Sequence, residues 1–297
     1  MKKILILGSS GMLGHMVYYY LKNLGTYEIV DTSFKDKLHE ASILLDVRDE
    51  KELHNLIFKI KPDFIVNCIG ILIKGSKTDP SNAIYVNAYI PHRLAGILRL
   101  TGGKLIHIST DCVFSGKRGK YSEGDFRDAD DIYGRCKALG EIDNEFDLTL
   151  RTSIIGPELK NSGEGLFHWL MNQKGNIKGF LNAFWGGVTT LELAKVIDYS
   201  INQNTTGIVN ITNSEPISKF ALLGHIKNAF LLNEINIEKE HSYNSNKSLV
   251  TLRNDFDYRV PDYLNMIMDL KSYMIVNQVL YRKVYTQILS NLLRENY

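Results

Sequence analysis

Short apolar runs alternate, along the first half of the chain, with longer stretches whose apolar positions recur at helical spacing. Lys3 to Leu7 is such a run, the pattern of a central parallel strand buried on both faces. His15 to Leu24 follows as a helix that stops at Gly25. Tyr27 to Val30 is a second strand, and Ile43-Leu44-Leu45-Asp46 a short third one. Glu50 to Ile60 is an amphipathic helix ended ahead of Pro62. Asp63 to Cys68 is a fourth buried strand, Pro80 to Leu100 one long helix, and Lys104 to Ile108 a fifth strand. Leu148 to Ile155 is a sixth. This alternation predicts an α/β fold, a Rossmann-type doubly wound parallel sheet.

Beyond about residue 157 the alternation loosens. Ile208 to Thr212 reads as one more strand, Lys219 to Leu232 as a helix, and Lys247 to Phe256 as a loop or short strand. Tyr273 to Leu293 has apolar residues at helical spacing and reads as an extra terminal helix. The expected division is a dinucleotide-binding domain over 1–157 and a smaller, interleaved substrate-binding region over 158–297, with no clean linker.

Composition narrows the function classes. With 44% hydrophobic and 23% charged residues, the 297-residue chain is an ordinary globular protein with a sizeable core. A net charge of +2 gives no reason to expect a nucleic-acid or membrane-surface partner. The three cysteines, Cys68, Cys112 and Cys136, are far apart with no CxxC, which suits a reducing compartment and no disulfide framework or zinc site. The histidines lack metal spacing. No run approaches the ~20 apolar residues of a membrane span. The apolar run after Lys3 breaks at Gly8, too soon for a secretory leader. A cytoplasmic location is expected.

Candidate chemistry begins where the first strand meets Gly8-Ser9-Ser10-Gly11-Met12-Leu13-Gly14. Strand, glycine-rich turn and helix together make a phosphate site for NADPH or NADH. Gly8 permits the turn, Gly11 lets backbone approach the pyrophosphate, and Gly14 lets helix and strand pack closely. Asp31, expected at the carboxyl end of the second strand, would accept the ribose hydroxyls of NADH. Lys35 would instead meet a 2′-phosphate. Asp46 and Val47 would border the adenine, and Cys68-Ile69-Gly70 would pass over the nicotinamide ribose.

A second set follows at Ser109-Thr110-Asp111-Cys112-Val113-Phe114 and Tyr133-Gly134-Arg135-Cys136-Lys137. Residues four apart share one helix face, so Lys137 can sit a turn from Tyr133. A free phenol titrates near ~10, and a neighbouring ammonium would lower that value toward usefulness as an acid or base. The fifth strand delivers Thr110 to the carboxyl edge of the sheet, where open α/β sheets bind ligands.

These motifs, in this order, resemble the extended short-chain dehydrogenase/reductase family, in its nucleotide-sugar 4-keto reductase branch, the dTDP-4-dehydrorhamnose reductases. His107-Ile108-Ser109-Thr110-Asp111, Val113-Phe114, Tyr133-Gly134, Lys137, Gly140-Glu141, Leu150-Arg151-Thr152-Ser153 and Asn182 to Thr189 also carry the likeness. The resemblance implies Tyr133 as proton donor, Lys137 on the nicotinamide ribose, Thr110 tuning the carbonyl, and a nucleotide-sugar substrate. Two positions depart from it: Cys112 stands where the branch has Tyr, and Ile154 where it has Trp. Both belong to the expected substrate pocket, with Asp111. In a bifunctional epimerase-reductase of the wider family a Cys occupies the place of Cys112 and works with a His further on. Cys112 with His168 would do likewise, or Cys112 is a small packing residue. Trp169, Phe180, Phe184 and Trp185 could stack on a base or fill the core. Some relatives serve as regulatory subunits rather than enzymes. The terminal helix could make a homodimer contact or dock on its own domain.

Overall fold

The computed structural model describes residues 1–294; residues 295–297 of the expected second region lie outside the described residues. Its centre is a seven-stranded parallel sheet. In sequence order the first six strands are β1 (Lys2–Leu7), β2 (Tyr27–Ser33), β3 (Ile43–Leu44), β4 (Phe64–Asn67), β5 (Lys104–Ser109) and β6 (Leu148–Arg151). The seventh is Gly207–Asn210, and the spatial order runs from it through β6, β5, β4, β1 and β2 to β3. The chain reverses direction across the sheet between β1 and β4, which opens a crevice at their carboxyl ends.

Side-chain alternation on β1 explains the layers. Ile4 and Ile6 join one apolar core, whereas Leu5 and Leu7 join a second on the opposite face. The first core contains helix α1 (Gly14–Leu24) and continues without a break into residues after 157, including Val188, Leu222 and Leu270. The second is covered by α2 (Glu50–Ile60) and by Ile90–Thr101. The second half of the chain also supplies the sheet's edge strand, Gly207–Asn210, which pairs with β6.

Several elements differ from the sequence reading. The stretch expected as one helix from Pro80 is three pieces: Pro80–Ala83, a π-helical turn Ile84–Tyr89, and Ile90–Thr101. The wider turn places the buried Asn87 amide against Ile71, whose N–H and carbonyl it binds, and whose short helix Ile73–Thr78 was not foreseen. The expected sixth strand is two, because Ile154–Ile155 leaves the sheet after Arg151 and pairs with Val188–Thr189. The terminal helix is a pair, Tyr263–Val276 and Gln278–Arg294, the second interrupted at Tyr285. Among the described residues no helix is long and apolar enough to cross a membrane.

Candidate active site

Two adjoining cavities occupy the crevice. One, of about 280 Å³, is bordered by Gly8, Ser33, Phe34, Asp46, Val47 and Arg48. The other, of about 790 Å³, is bordered by Met12, Leu13, Thr110, Cys112, Tyr133 and Lys137, and also by Ile154 and Glu158. Gly11, Cys68, Ile69 and Gly70 line both, so they form the waist of one continuous cleft. The glycine-rich turn is tied to β2, since the N–H groups of Gly8 and Ser9 donate to the Thr32 carbonyl at 2.9 and 2.8 Å. It is also packed hard on itself: a Cβ at Gly14 would lie 2.1 Å from the Gly8 carbonyl oxygen.

Asp31 is not where the sequence reading put it. β2 runs on to Ser33, so Asp31 lies inside the strand, 3% exposed, and does not border the cleft. Its carboxylate is occupied by the Ser9 hydroxyl and by His39 Nε2 at 2.9 Å. Ser33 and Phe34 take the rim position instead. Ser33 Oγ is buried without a hydrogen-bond partner among the described residues. Lys35 and Arg48 both lie over the Phe34 ring, with the Lys35 ammonium 5.3 Å from its centroid. Sequence reading missed Ser33 and Arg48; a strand three residues longer would have pointed to the first.

The proton-transfer set does converge. Thr110 caps a short turn over Asp111–Val113: its Oγ1 accepts from the Cys112 N–H at 3.1 Å and donates to Asp111 Oδ1 at 3.2 Å. The helix Ile132–Leu139 starts beside it, capped by Asp131, which accepts from the Gly134 N–H at 2.9 Å. A Cβ at Gly134 would lie 2.2 Å from the Cys112 carbonyl oxygen, so only glycine lets the helix come this near. Tyr133, half-buried, therefore meets the Thr110 hydroxyl as a hydrogen-bonding neighbour.

The ammonium of Lys137 donates to the Ile108 carbonyl at 2.7 Å and lies 3.3 Å from His107 Nε2. An ammonium has three donors, so one remains for the cleft. Burial lowers the Lys137 pKa to about 8, against a smaller opposing pull from Glu141 and Cys68. The expected depression of the phenol is not found. Burial raises the Tyr133 pKa, and Cys112 and Asp111 push the same way against the Thr110 hydrogen bond. The phenol stays protonated. Behind Thr110, the Glu141 carboxylate binds Ser109 Oγ at 2.7 Å, Arg151 at 2.8 and 2.6 Å, and Arg127. Burial alone would raise its pKa; these partners hold it below the usual range.

His168 does not approach Cys112. It is buried against Tyr285, whose hydroxyl is 3.0 Å from Nδ1, and Nε2 faces the Asn161 carbonyl at 3.2 Å. Burial, followed by the Asp111 charge, pushes the Cys112 thiol up to about 12. Trp185 donates to Ser153 Oγ at 2.9 Å from within the core, and neither it nor Trp169, Phe180 or Phe184 borders the cleft. The sequence reading also missed Lys74 and Lys77, one helical turn apart on Ile73–Thr78, and Glu158 and Glu164, all of which line the larger cavity.

Residues 1–247 match the family model described as the RmlD substrate binding domain. The chain belongs to this family. The dTDP-4-dehydrorhamnose reductase of Aggregatibacter actinomycetemcomitans is a relative, 31% identical over 143 residues, 48% of this chain and 46% of that one. The spore coat polysaccharide biosynthesis protein SpsK of Bacillus subtilis is 26% identical over 221 residues, 72% of this chain and 74% of its own. The beta subunit of methionine adenosyltransferase 2 from Rattus norvegicus is 29% identical over 144 residues, 47% of this chain and 42% of that one. The first-named relative is thus matched over about half its length. Family membership carries the fold with it: a dTDP-4-dehydrorhamnose reductase from Bacillus anthracis, solved with NADP, superposes with a TM-score of 0.79 at 22% identity, covering 92% of this chain and 99% of that one.

Proposed function

We propose that the protein is an NAD(P)H-dependent reductase acting on the C4 keto group of a nucleotide-linked 4-keto-6-deoxy sugar, in the making of deoxysugars for cell-surface polysaccharide. The observation that carries this reading is the meeting of Thr110, Tyr133 and Lys137 on one wall of a cleft whose other end rests on the Gly8–Gly14 turn. The names of the family's relatives support the same substrate class.

The cleft suits a nicotinamide dinucleotide. Helix α1 is held against the turn at Gly14 with no room for a side chain, and Ser33 brings an unpartnered buried hydroxyl to the smaller cavity. The Gly8–Gly14 turn would hold the pyrophosphate, Asp46 and Val47 the adenine side, and Cys68-Ile69-Gly70 with Lys137 the nicotinamide ribose. With Asp31 occupied by Ser9 and His39, no free carboxylate faces the adenosine ribose from β2, while Arg48 and Lys35 stand over Phe34. NADPH is accordingly favoured over NADH.

When bound, the reduced cofactor supplies hydride to the carbonyl carbon. Tyr133, kept protonated by burial, gives its Oη proton to the carbonyl oxygen. Lys137, fixed by the Ile108 carbonyl, would give its remaining N–H to the nicotinamide ribose, while its charge favours the phenolate as the proton leaves. The Thr110 hydroxyl, its oxygen held by the Cys112 N–H, would turn its single proton from Asp111 to the substrate oxygen while negative charge develops. Asp111, Cys112 and Ile154 line the sugar side.

Incubation with dTDP-4-dehydrorhamnose and a panel of other 4-keto nucleotide sugars, with either reduced cofactor, tests the proposal through loss of nicotinamide absorbance. Cofactor oxidation that depends on a keto sugar is expected. NADPH binding without turnover on any member of the panel would point instead to a dinucleotide-binding regulatory subunit; one family relative is named as the beta subunit of methionine adenosyltransferase 2.

A further inference from the structure

The helix Gln278–Arg294 lies beyond the residues matched by the family model, yet two of its tyrosines reach the cleft's supporting loops. Tyr281 and Tyr285, one turn apart, are 0% and 2% exposed. Each meets a buried histidine. Tyr281 Oη lies 3.2 Å from His15 Nε2, and His15 Nδ1 lies 2.9 Å from the Gly11 carbonyl. Tyr285 Oη lies 3.0 Å from His168 Nδ1, and His168 Nε2 lies 3.2 Å from the Asn161 carbonyl.

A carbonyl can only accept, so His15 carries its proton on Nδ1 and its Nε2 accepts from the Tyr281 O–H. His168 Nε2 meets the Asn172 amide nitrogen at 3.3 Å as well as the Asn161 carbonyl, while its Nδ1 pairs with the Tyr285 hydroxyl. Burial lowers the His15 pKa to about 4 and keeps that ring neutral. Tyr285 goes further, since its oxygen also accepts the Glu158 N–H at 2.9 Å.

The two chains of hydrogen bonds end on two different segments of the cleft lining. Gly11 belongs to the glycine-rich turn and lines both cavities; Glu158 lines the larger one. Glu158 Oε1 accepts from the Gly165 N–H at 2.8 Å, and a Cβ at Gly165 would lie 3.2 Å from Met12 Sδ. The 158–165 loop therefore touches the glycine-rich turn where Tyr281 and Tyr285 brace each of them.

We infer that Tyr281 and Tyr285 are positioning residues: through His15 and His168 the terminal helix sets the glycine-rich turn and the 158–165 loop relative to each other. The inference rests on the cleft being a dinucleotide and nucleotide-sugar site. Tyr281 then governs dinucleotide binding and Tyr285 governs sugar-nucleotide binding, with neither touching the reacting atoms.

Tyr281→Phe and Tyr285→Phe each remove one hydroxyl and keep the ring. Hydrogen exchange by mass spectrometry on the ligand-free protein is the first measurement, and it needs no turnover. Tyr285→Phe should speed exchange in 158–165 about fivefold and leave 8–14 within about twofold, the scale of one hydrogen bond; Tyr281→Phe should do the converse. The second measurement is the NADPH Kd by fluorescence and the KM for dTDP-4-dehydrorhamnose at saturating NADPH. Tyr281→Phe should raise the first about fivefold, Tyr285→Phe the second, each with kcat within about twofold. Equal changes in both loops for both variants, or no change in either, would overturn the inference. Selective exchange changes in a protein that turns over no keto sugar would uphold the positioning role and reject only the substrate assignment.

Discussion

The guanidinium of Arg48 lies over the Phe34 ring, 5.4 Å from its centroid, while gripping the Asp46 carboxylate at 2.6 to 3.0 Å. This pair forms the rim of the smaller cavity beside the unpartnered Ser33 hydroxyl. The proposed preference for NADPH rests on this rim cation, held by Asp46. Arg48→Ala should weaken NADPH about tenfold or more, the scale of a hydrogen bond to a charged group, and change NADH by less than about threefold. Fluorescence titration with each cofactor checks this, and an equal loss for both would remove Arg48 from cofactor selection.

Tyr133→Phe removes the proton donor and keeps the ring. Turnover should fall by about 10²- to 10⁴-fold, while the NADPH Kd stays within about twofold. A variant that reduces keto sugar at a near-normal rate would show that another group protonates the oxygen.

The pH profile should report Lys137. Its ammonium loses its proton near pH 8 because burial disfavours the charge. Above that value the positive charge beside Tyr133 disappears, so kcat should fall roughly tenfold between about pH 7 and pH 9. Lys137→Arg, which stays charged, should move this limb upward by more than about one unit if it folds. For stability the sign is opposite. The folded pKa lies below the ordinary 10.5, so the burial cost is present in full below about pH 8 and is relieved as pH rises through 10.5.

Glu141 and Arg151 are fully buried side chains 2.6 Å apart, joined to Ser109 and Arg127. Glu141→Gln leaves the Arg151 charge uncompensated and should cost about 3–5 kcal/mol in denaturant unfolding. The carboxyl is held below its usual range, so its stabilisation is complete at neutral pH. That stabilisation is lost as pH falls through the depressed value. An unfolding midpoint insensitive to the substitution would mean that the network is not what secures the carboxyl end of β5.

Cys112 offers a choice between reduction alone and reduction with epimerisation. The thiol is pushed up to about 12, and His168 is engaged by Tyr285 and Asn161. Enzyme and keto sugar incubated in heavy water without reduced cofactor should therefore incorporate no deuterium at C3 or C5. Cys112→Ser should keep most of the reductase rate. Deuterium uptake that vanishes in Cys112→Ser would make the protein an epimerase-reductase.

Local signals were the legible ones. Glu50–Ile60 has the bounds its amphipathic spacing predicts, and α1 ends at Leu24 because Gly25 adopts a left-handed conformation there. Tyr133 and Lys137 were legible because helical spacing decides which side chains share a face. What stayed hidden depends on distant partners. The π-helical turn at Ile84–Tyr89 turns on Asn87 binding Ile71 across sixteen residues, a contact no local period records. Asp31 misled because a carboxylate near a strand end looks free until Ser9 and His39 are brought to it. His15 and Tyr281 are 266 positions apart.

The edge strand Gly207–Asn210 closes the sheet from far along the chain, with its Ile208, Val209 and Asn210 in register with Thr149, Leu150 and Arg151. When only the first 157 residues have emerged from the ribosome, the sheet's β6 edge is open, with unpaired N–H and C=O groups. Such a nascent intermediate is a template for pairing with its own kind. The growing chain must wait for about fifty more residues, including the helix Thr190–Gln203, before that edge is sealed. Cutting the gene at the glycine-proline pair Gly156-Pro157 would make that waiting state permanent, so the dinucleotide half should be recovered from cells as aggregate rather than as an independent binding module.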